Sequence, residues 1–285
     1  MPAMCSRMPL VRPIATLLLL LAAPALAAWV PPANPNPQSI LAGARADRQA
    51  GRHEDALAKH VWFHENAVKI DAELSSMRRT SALGDWRLLN FRYEAGARKL
   101  REVRDAAAGK VMKGDAESRL SYFDVAAINE ALEDEPRTRT LFLWLDKNSQ
   151  ALAREVYPRT QPLLVRSGDY AICGRYIDAP NALKDLVTSY RTGLRMARRS
   201  VGGDVDIAQL QFTSEATLLV ALLAANQRGP EAQKVATDAL RVVNNPRFEQ
   251  ELRKALTGEI PDIGPSEGLR ALMRAWERMG NYIGM

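Results

Sequence analysis

Cysteine is nearly missing: the 285 residues hold two. A small scaffold stapled by disulfides is therefore excluded. Aromatic residues make up only 6%. No RNA-binding aromatic motif is present, and no block of five or six like charges forms a nucleic-acid footprint. Glycine and proline, at 17 and 16, stand near average usage, which excludes collagen-like and low-complexity chains. No Asn-Gly or Asp-Gly pair separates alternating apolar runs, so β-hairpins have no turn to start from. The fingerprints G-x-x-x-x-G-K-[ST], G-x-G-x-x-G and C-x-x-C are all missing. What remains is 47% hydrophobic and 25% charged, a globular balance with ample material for a core.

The first residues read as an export signal. Arg7 and Arg12 are the only charges before an apolar run from Ile14 to Ala23. Pro24 and Ala25-Leu26-Ala27 follow. A basic start, a short apolar run and an A-x-A site describe a cleavable signal peptide over 1–27, with cleavage after Ala27. The run is short of the roughly 20 residues a membrane span requires. Removal of 1–27 takes two arginines and no acid, lowering the net charge from +6 to +4. That charge concerns solubility rather than nucleic acid. The expected location is the periplasm or the exterior, with no membrane span after cleavage.

Residues 28–37, containing PPANPNP, form a Pro-rich spacer. Beyond it, over 38–285, the 3.6-residue period predicts an all-α domain of antiparallel helix pairs. Helices are expected near 38–50, 53–70, 75–91, 94–108, 118–133, 136–146, 149–157, 160–176, 181–199, 206–227, 230–243, 246–257 and 266–279. Leu183, Leu186, Val187, Tyr190, Leu194 and Ala197 share one stripe. Leu269, Leu272, Met273, Trp276 and Met279 share another, between Pro265 and Gly280. Residues 218–225 are apolar on every side and predict a buried central helix.

Residues 38–71 place Ala44, Gly51 and Ala56 where paired helices would cross closely with a turn between them. In this pattern the segment resembles a tetratricopeptide (TPR-like) repeat. The next small position of that family falls on Phe63, with Ala67 four residues later, so the second helix runs about one turn long. Ala82, Gly84 and Ala97 suit a second pair, and Ala232, Ala239 and Pro246 a later one. WFHENAVKI followed by ALGDW also resembles bacterial tetratricopeptide-like proteins. The resemblance implies an α-solenoid or irregular helical bundle that holds a protein or peptide partner. By the same resemblance, groove residues are Arg45, Arg48 and Gln49 in the first pair, and Arg79, Trp86 and Asn90 in the second. Guanidinium groups there suit a carboxylate or acidic segment, and Trp86 adds apolar area.

His53, His60 and His64 are the only histidines. Spacings of seven and four bring them onto one helix face. His60 and His64 at i, i+4 could share a metal, but Val61 stands where H-E-x-x-H has its general base, and no third ligand is identifiable. A second reading buries them in a helix interface, each with a hydrogen-bond partner, and a third makes them a pH-responsive contact. Trp62 shares a stripe with Asp55, Lys59, Asn66 and Lys69, as a contact residue or as cover for a neighbouring helix. Cys173 lies in an apolar patch, as a small buried side chain or a reactive thiol.

Two functions follow. One is an exported helical-repeat scaffold that binds a protein or peptide in the cell envelope, without catalysis, cofactor or metal. The other is an exported, metal-assisted helical enzyme centred on His60 and His64.

Overall fold

The computed structural model describes residues 29–199 and 205–262. The segment expected to be an export signal, residues 200–204 and the expected 266–279 helix lie outside the described residues. Among the described residues every regular element is helical, as the periodicity predicts.

Helix α1 (Pro37–Gln49) starts where Asn36 accepts a hydrogen bond from the Ser39 N–H at 2.9 Å, with Pro37 just inside the first turn. Gly51, at φ +76, turns the chain into α2 (His53–Ile70). Ala44 and Ala56 are fully buried where these helices cross, which lets the axes approach closely. A 3-10 turn (Ala72–Leu74) leads to α3 (Ser75–Arg79) and α4 (Ser81–Asn90). The helix expected over 75–91 is thus split at Thr80, whose φ −120 and ψ −94 lie outside the helical region. Gly84 meets nothing within 4 Å of a built Cβ, so it is no close-packing position.

Helix α5 (Glu94–Lys113) passes Gly109 and stops at Gly114, φ +71, later than the expected 108. It is followed by α6 (Ser118–Ala131), α7 (Glu135–Asn148), α8 (Gln150–Arg166) and α9 (Tyr170–Tyr176). The break expected near Pro158 does not occur. Pro158 and Pro162 both lie inside α8, one turn apart on its exposed face. The carbonyls they leave without an intrahelical donor, those of Arg154 and Pro158, lie on that face. The break falls at Gly168 instead, φ +75.

Neighbours in sequence are neighbours in space. The helices α1, α4, α6 and α8 touch in succession as a row. Across from the row, α2, α5 and α7 pack between its members and have little contact with one another. The last four helices, α10 (Ala179–Arg199), α11 (Val205–Ala225), α12 (Gly229–Val242) and α13 (Pro246–Ala255), gather around α11. Helix α11 is long and apolar enough to cross a membrane by length and composition alone. Here Ala216, Val220, Ala221, Leu222 and Leu223 are buried in the protein core.

One joint ties the two groups. A side chain on Gly174 of α9 would collide with the Asn226 amide at 2.2 Å. Asn226 donates to the Tyr170 carbonyl at 2.9 Å, and Arg228 donates to the Gly174 and Ile177 carbonyls at 3.1 and 2.9 Å. These last two bonds satisfy carbonyls that the C-terminus of α9 would leave bare. Cys173, beside this joint, is fully buried, and burial pushes its thiol up to about 11. That matches the small buried side chain and leaves no thiolate near neutral pH.

Candidate functional site

The three histidines do lie on the inner side of α2, but their partners are aromatic. His60 stacks on Trp86 at 5.8 Å between ring centres, and His64 meets the same indole at 6.3 Å and 79°. His53 lies over Tyr93 at 5.7 Å. The expected hydrogen bonds are not all made: Nδ1 of His53, Nε2 of His60 and Nδ1 of His64 are buried without a partner. Burial, reinforced by Arg45 and Arg48, lowers His60 from 6.5 to about 4. Burial with Arg78 and Arg79 lowers His64 to about 4 as well. Both rings are thus neutral near pH 7. Among the described residues, no group of three or more His, Cys, Asp or Glu side chains is placed to hold a metal.

The six expected groove residues do not share one surface. Arg45 is exposed on α1 and pairs with Asp85 of α4 at 2.6 Å. Gln49 is exposed one turn along the same face. Arg48 is half-buried, with its Nε enclosed and unpartnered. Arg79 points inward, donating to Ser75 at 2.6 Å and Asp124 at 3.4 Å. Asn90 is half-buried, with its Oδ1 enclosed near Gly96. Trp86 corrects the expectation outright: it is 1% exposed and donates its indole N–H to the Gly96 carbonyl at 3.1 Å. Its apolar area is spent on the core with Leu83, Leu100 and Ile128.

A different set of side chains occupies the open face of the row. On α4, Asp85 marks one flank by pairing with α1. Arg87 marks the other by pairing with Glu133, just past α6. Gly84, Leu88 and Phe91 recur at four and three residues between those flanks, and all are exposed. Phe91 is 71% exposed, with the Arg87 guanidinium 5.7 Å from its ring centre. On α6, Leu120 is exposed, and Arg119 lies 5.3 Å over the half-buried Phe123. Arg119 also faces Glu155 of α8 at 3.9 Å. Each step along the row therefore carries an arginine already matched by a carboxylate, with large apolar groups beside it.

Trp62 is half-buried because Trp29, from the Pro-rich spacer, packs against it at 6.5 Å. The Trp29 backbone N–H donates to Asp55 at 3.2 Å, and Lys59 lies 5.7 Å over the Trp29 ring. Trp62 also packs against the buried cluster of Leu41, Phe63, Ala67, Leu74 and Ala82, which spans α1, α2 and α4, so it covers its neighbours while the spacer lies on it. Lys59 also bonds the buried Asp47, which Arg52 holds from the other side. Burial opposes ionisation of Asp47, yet these two cations hold its carboxyl below the usual value.

Gly84, Leu88 and Phe91 are what remains of the α4 face once the buried Leu83, Trp86 and Leu89 are removed, and which stripe is buried is set by the neighbouring helices rather than by local pattern. The Arg119–Glu155 and Arg87–Glu133 pairs span elements far apart in sequence, and no local pattern announces them. No family model, curated protein or solved structure matches this chain.

Proposed function

We propose that the protein is a non-catalytic binding scaffold of the cell envelope whose row of helices α1, α4, α6 and α8 holds an apolar segment of a protein partner. The observation that carries this reading is the exposure of Leu88, Phe91 and Leu120 between matched ion pairs. Large apolar side chains grouped on a helix face, rimmed by polar groups, mark interaction surfaces. The arginines favour an apolar over an acidic segment, because Arg45, Arg87 and Arg119 already face carboxylates.

The test is co-purification from an envelope fraction with mass spectrometry of what is retained. The double variant Leu88→Asp with Phe91→Asp should lose the proteins held by the wild type while keeping its melting temperature. Capture should also change little with salt, since few unmatched charges take part. An unchanged set of captured proteins, or capture abolished by moderate salt, overturns the reading.

A further inference from the structure

The end of α10 and the start of α11 make a tip that the row does not involve. Leu183, Leu186, Val187 and Tyr190, the first members of the predicted α10 stripe, pack on the core. The two helices cross closely at Gly193, where a side chain would come within 3.0 Å of Ala208. Beyond that crossing large apolar side chains reach the surface: Met196 is 65% exposed, Ile207 63% and Leu210 52%. Met196 and Ile207 line one cleft between the helices. Arg191, Arg195, Arg198 and Arg199 occupy the last turns of α10, all exposed. Arg195 donates to Thr192 at 3.1 Å, and among the described residues none of the four has a carboxylate partner. Arg45, Arg87 and Arg119 of the row, by contrast, each face a carboxylate.

We infer that this tip docks on an anionic lipid surface, with Met196, Ile207 and Leu210 entering the boundary between headgroups and acyl chains and the four arginines at the level of the phosphates. Charge complementarity selects this partner. Residues 191–210 carry four arginines against Asp204 and Asp206. Asp206 lies in the first turn of α11, where the helix end already favours a negative charge. Glu215, further along α11, accepts a hydrogen bond from Gln211 at 3.0 Å. Unmatched guanidinium groups beside exposed apolar groups are the pattern of helices that lie at a membrane interface, because long stems keep the cations wet while the apolar groups are buried. An acidic protein would have to present a matching surface of about 800 Å² to hold the same groups, whereas a fluid bilayer needs no matching outline. The docking is on the membrane and not across it, since Ala216, Val220, Leu222 and Leu223 of α11 belong to the core.

The test is co-sedimentation of the protein, purified from an envelope fraction, with vesicles of equal parts phosphatidylglycerol and phosphatidylcholine, and with vesicles of phosphatidylcholine alone. Binding should be at least about tenfold tighter to the anionic vesicles. Each arginine near an anionic surface strengthens binding roughly fivefold, so Arg195→Gln with Arg198→Gln should weaken it by about 25-fold. Ile207→Gln with Leu210→Gln, at exposed positions, should weaken it by about tenfold without lowering the melting temperature. Leu88→Asp with Phe91→Asp should bind vesicles as the wild type does, which separates this surface from the row. In hydrogen exchange, anionic vesicles should protect 191–199 and 205–212 and leave α1 to α9 unchanged. Equal binding to both vesicle types, binding that survives both tip variants or is lost in the α4 variant, or unchanged exchange at the tip overturns the inference. So does tip protection that rises with protein concentration without vesicles, which assigns the tip to a second copy.

Discussion

Replacing His60 with Phe should flatten the acid limb of the stability curve by an amount the fold sets. Phe keeps a ring stacked on Trp86 and removes the only titrating group at that position. In the native protein His60 takes its proton at about 4 rather than 6.5, chiefly because it is buried and secondarily because Arg45 and Arg48 are near. The unfolded chain therefore protonates first. Stability from this ring is whole above about pH 6.5 and is lost as pH falls toward about 4. Each tenfold weakening of proton affinity on folding is worth about 1.4 kcal/mol, so the full loss is about 3 kcal/mol, of which roughly 2 falls between pH 7 and pH 4.5. Against a typical total of about 5–15 kcal/mol, that is enough to move an acid transition. His64 acts in the same direction. Asp124 acts in the opposite one, since burial pushes its carboxyl up against the pull of Arg78 and Arg79. The difference between wild type and variant isolates His60 from these groups. Urea unfolding followed by circular dichroism at several pH values between 7 and 4.5 measures it. A variant whose stability falls as steeply with acid as the wild type would refute the reasoning.

Other outcomes follow from buried charge and the buried thiol. Arg78 forks onto both oxygens of Asp124 at 2.6 Å, and both side chains are largely buried. Arg78→Met should cost about 3 kcal/mol in urea unfolding, and adding Asp124→Leu should recover much of it. A double variant no more stable than the single one would show that the stranded carboxylate is not the cause. Cys173, fully buried with its thiol pushed up to about 11, should react with a maleimide at least about a hundredfold more slowly in the native protein than in denaturant. Equally fast labelling in both states would place the thiol in an open pocket.

The sequence was most informative where burial repeats at the helical period. Ala44, Ala56, Ala232 and Ala239 were legible as close-packing positions because a helix crossing excludes larger side chains, and all four are fully buried. Proline misled. Pro158 read as a helix end, but proline is tolerated where the freed carbonyl meets water, and the one-turn spacing puts Pro158 and Pro162 both on the wet face of α8. Trp86 misled for another reason. Its stripe position was clear, but whether that stripe faces a groove or the histidines of α2 depends on how the second pair stacks on the first. Trp29 was invisible as a structural residue, since a lone aromatic beside a Pro-rich run has no periodicity to reveal its partner. The open face of α4 needed the same tertiary knowledge as Trp86, because exposure is what neighbours leave uncovered.

The joint at α9 bears on how this chain folds as a unit. Helices that pack mainly on their sequence neighbours behave like beads with nearest-neighbour coupling, and such arrays can come apart from either end in stages. Here Asn226 and Arg228 reach back more than fifty residues to grip the carbonyls of α9, and Gly174 leaves just enough space for that grip. Moving the Asn226 amide aside would sacrifice its bonds to Tyr170 and Leu222 together, so the contact does not yield gradually. Thermal disruption of the α11 group is thereby passed to α7 and α8 through Tyr176, whose hydroxyl is bonded to Asp146 and whose ring lies on Phe142 and Tyr157. A few side chains at one short helix thus turn a string of locally coupled units into a single cooperative one.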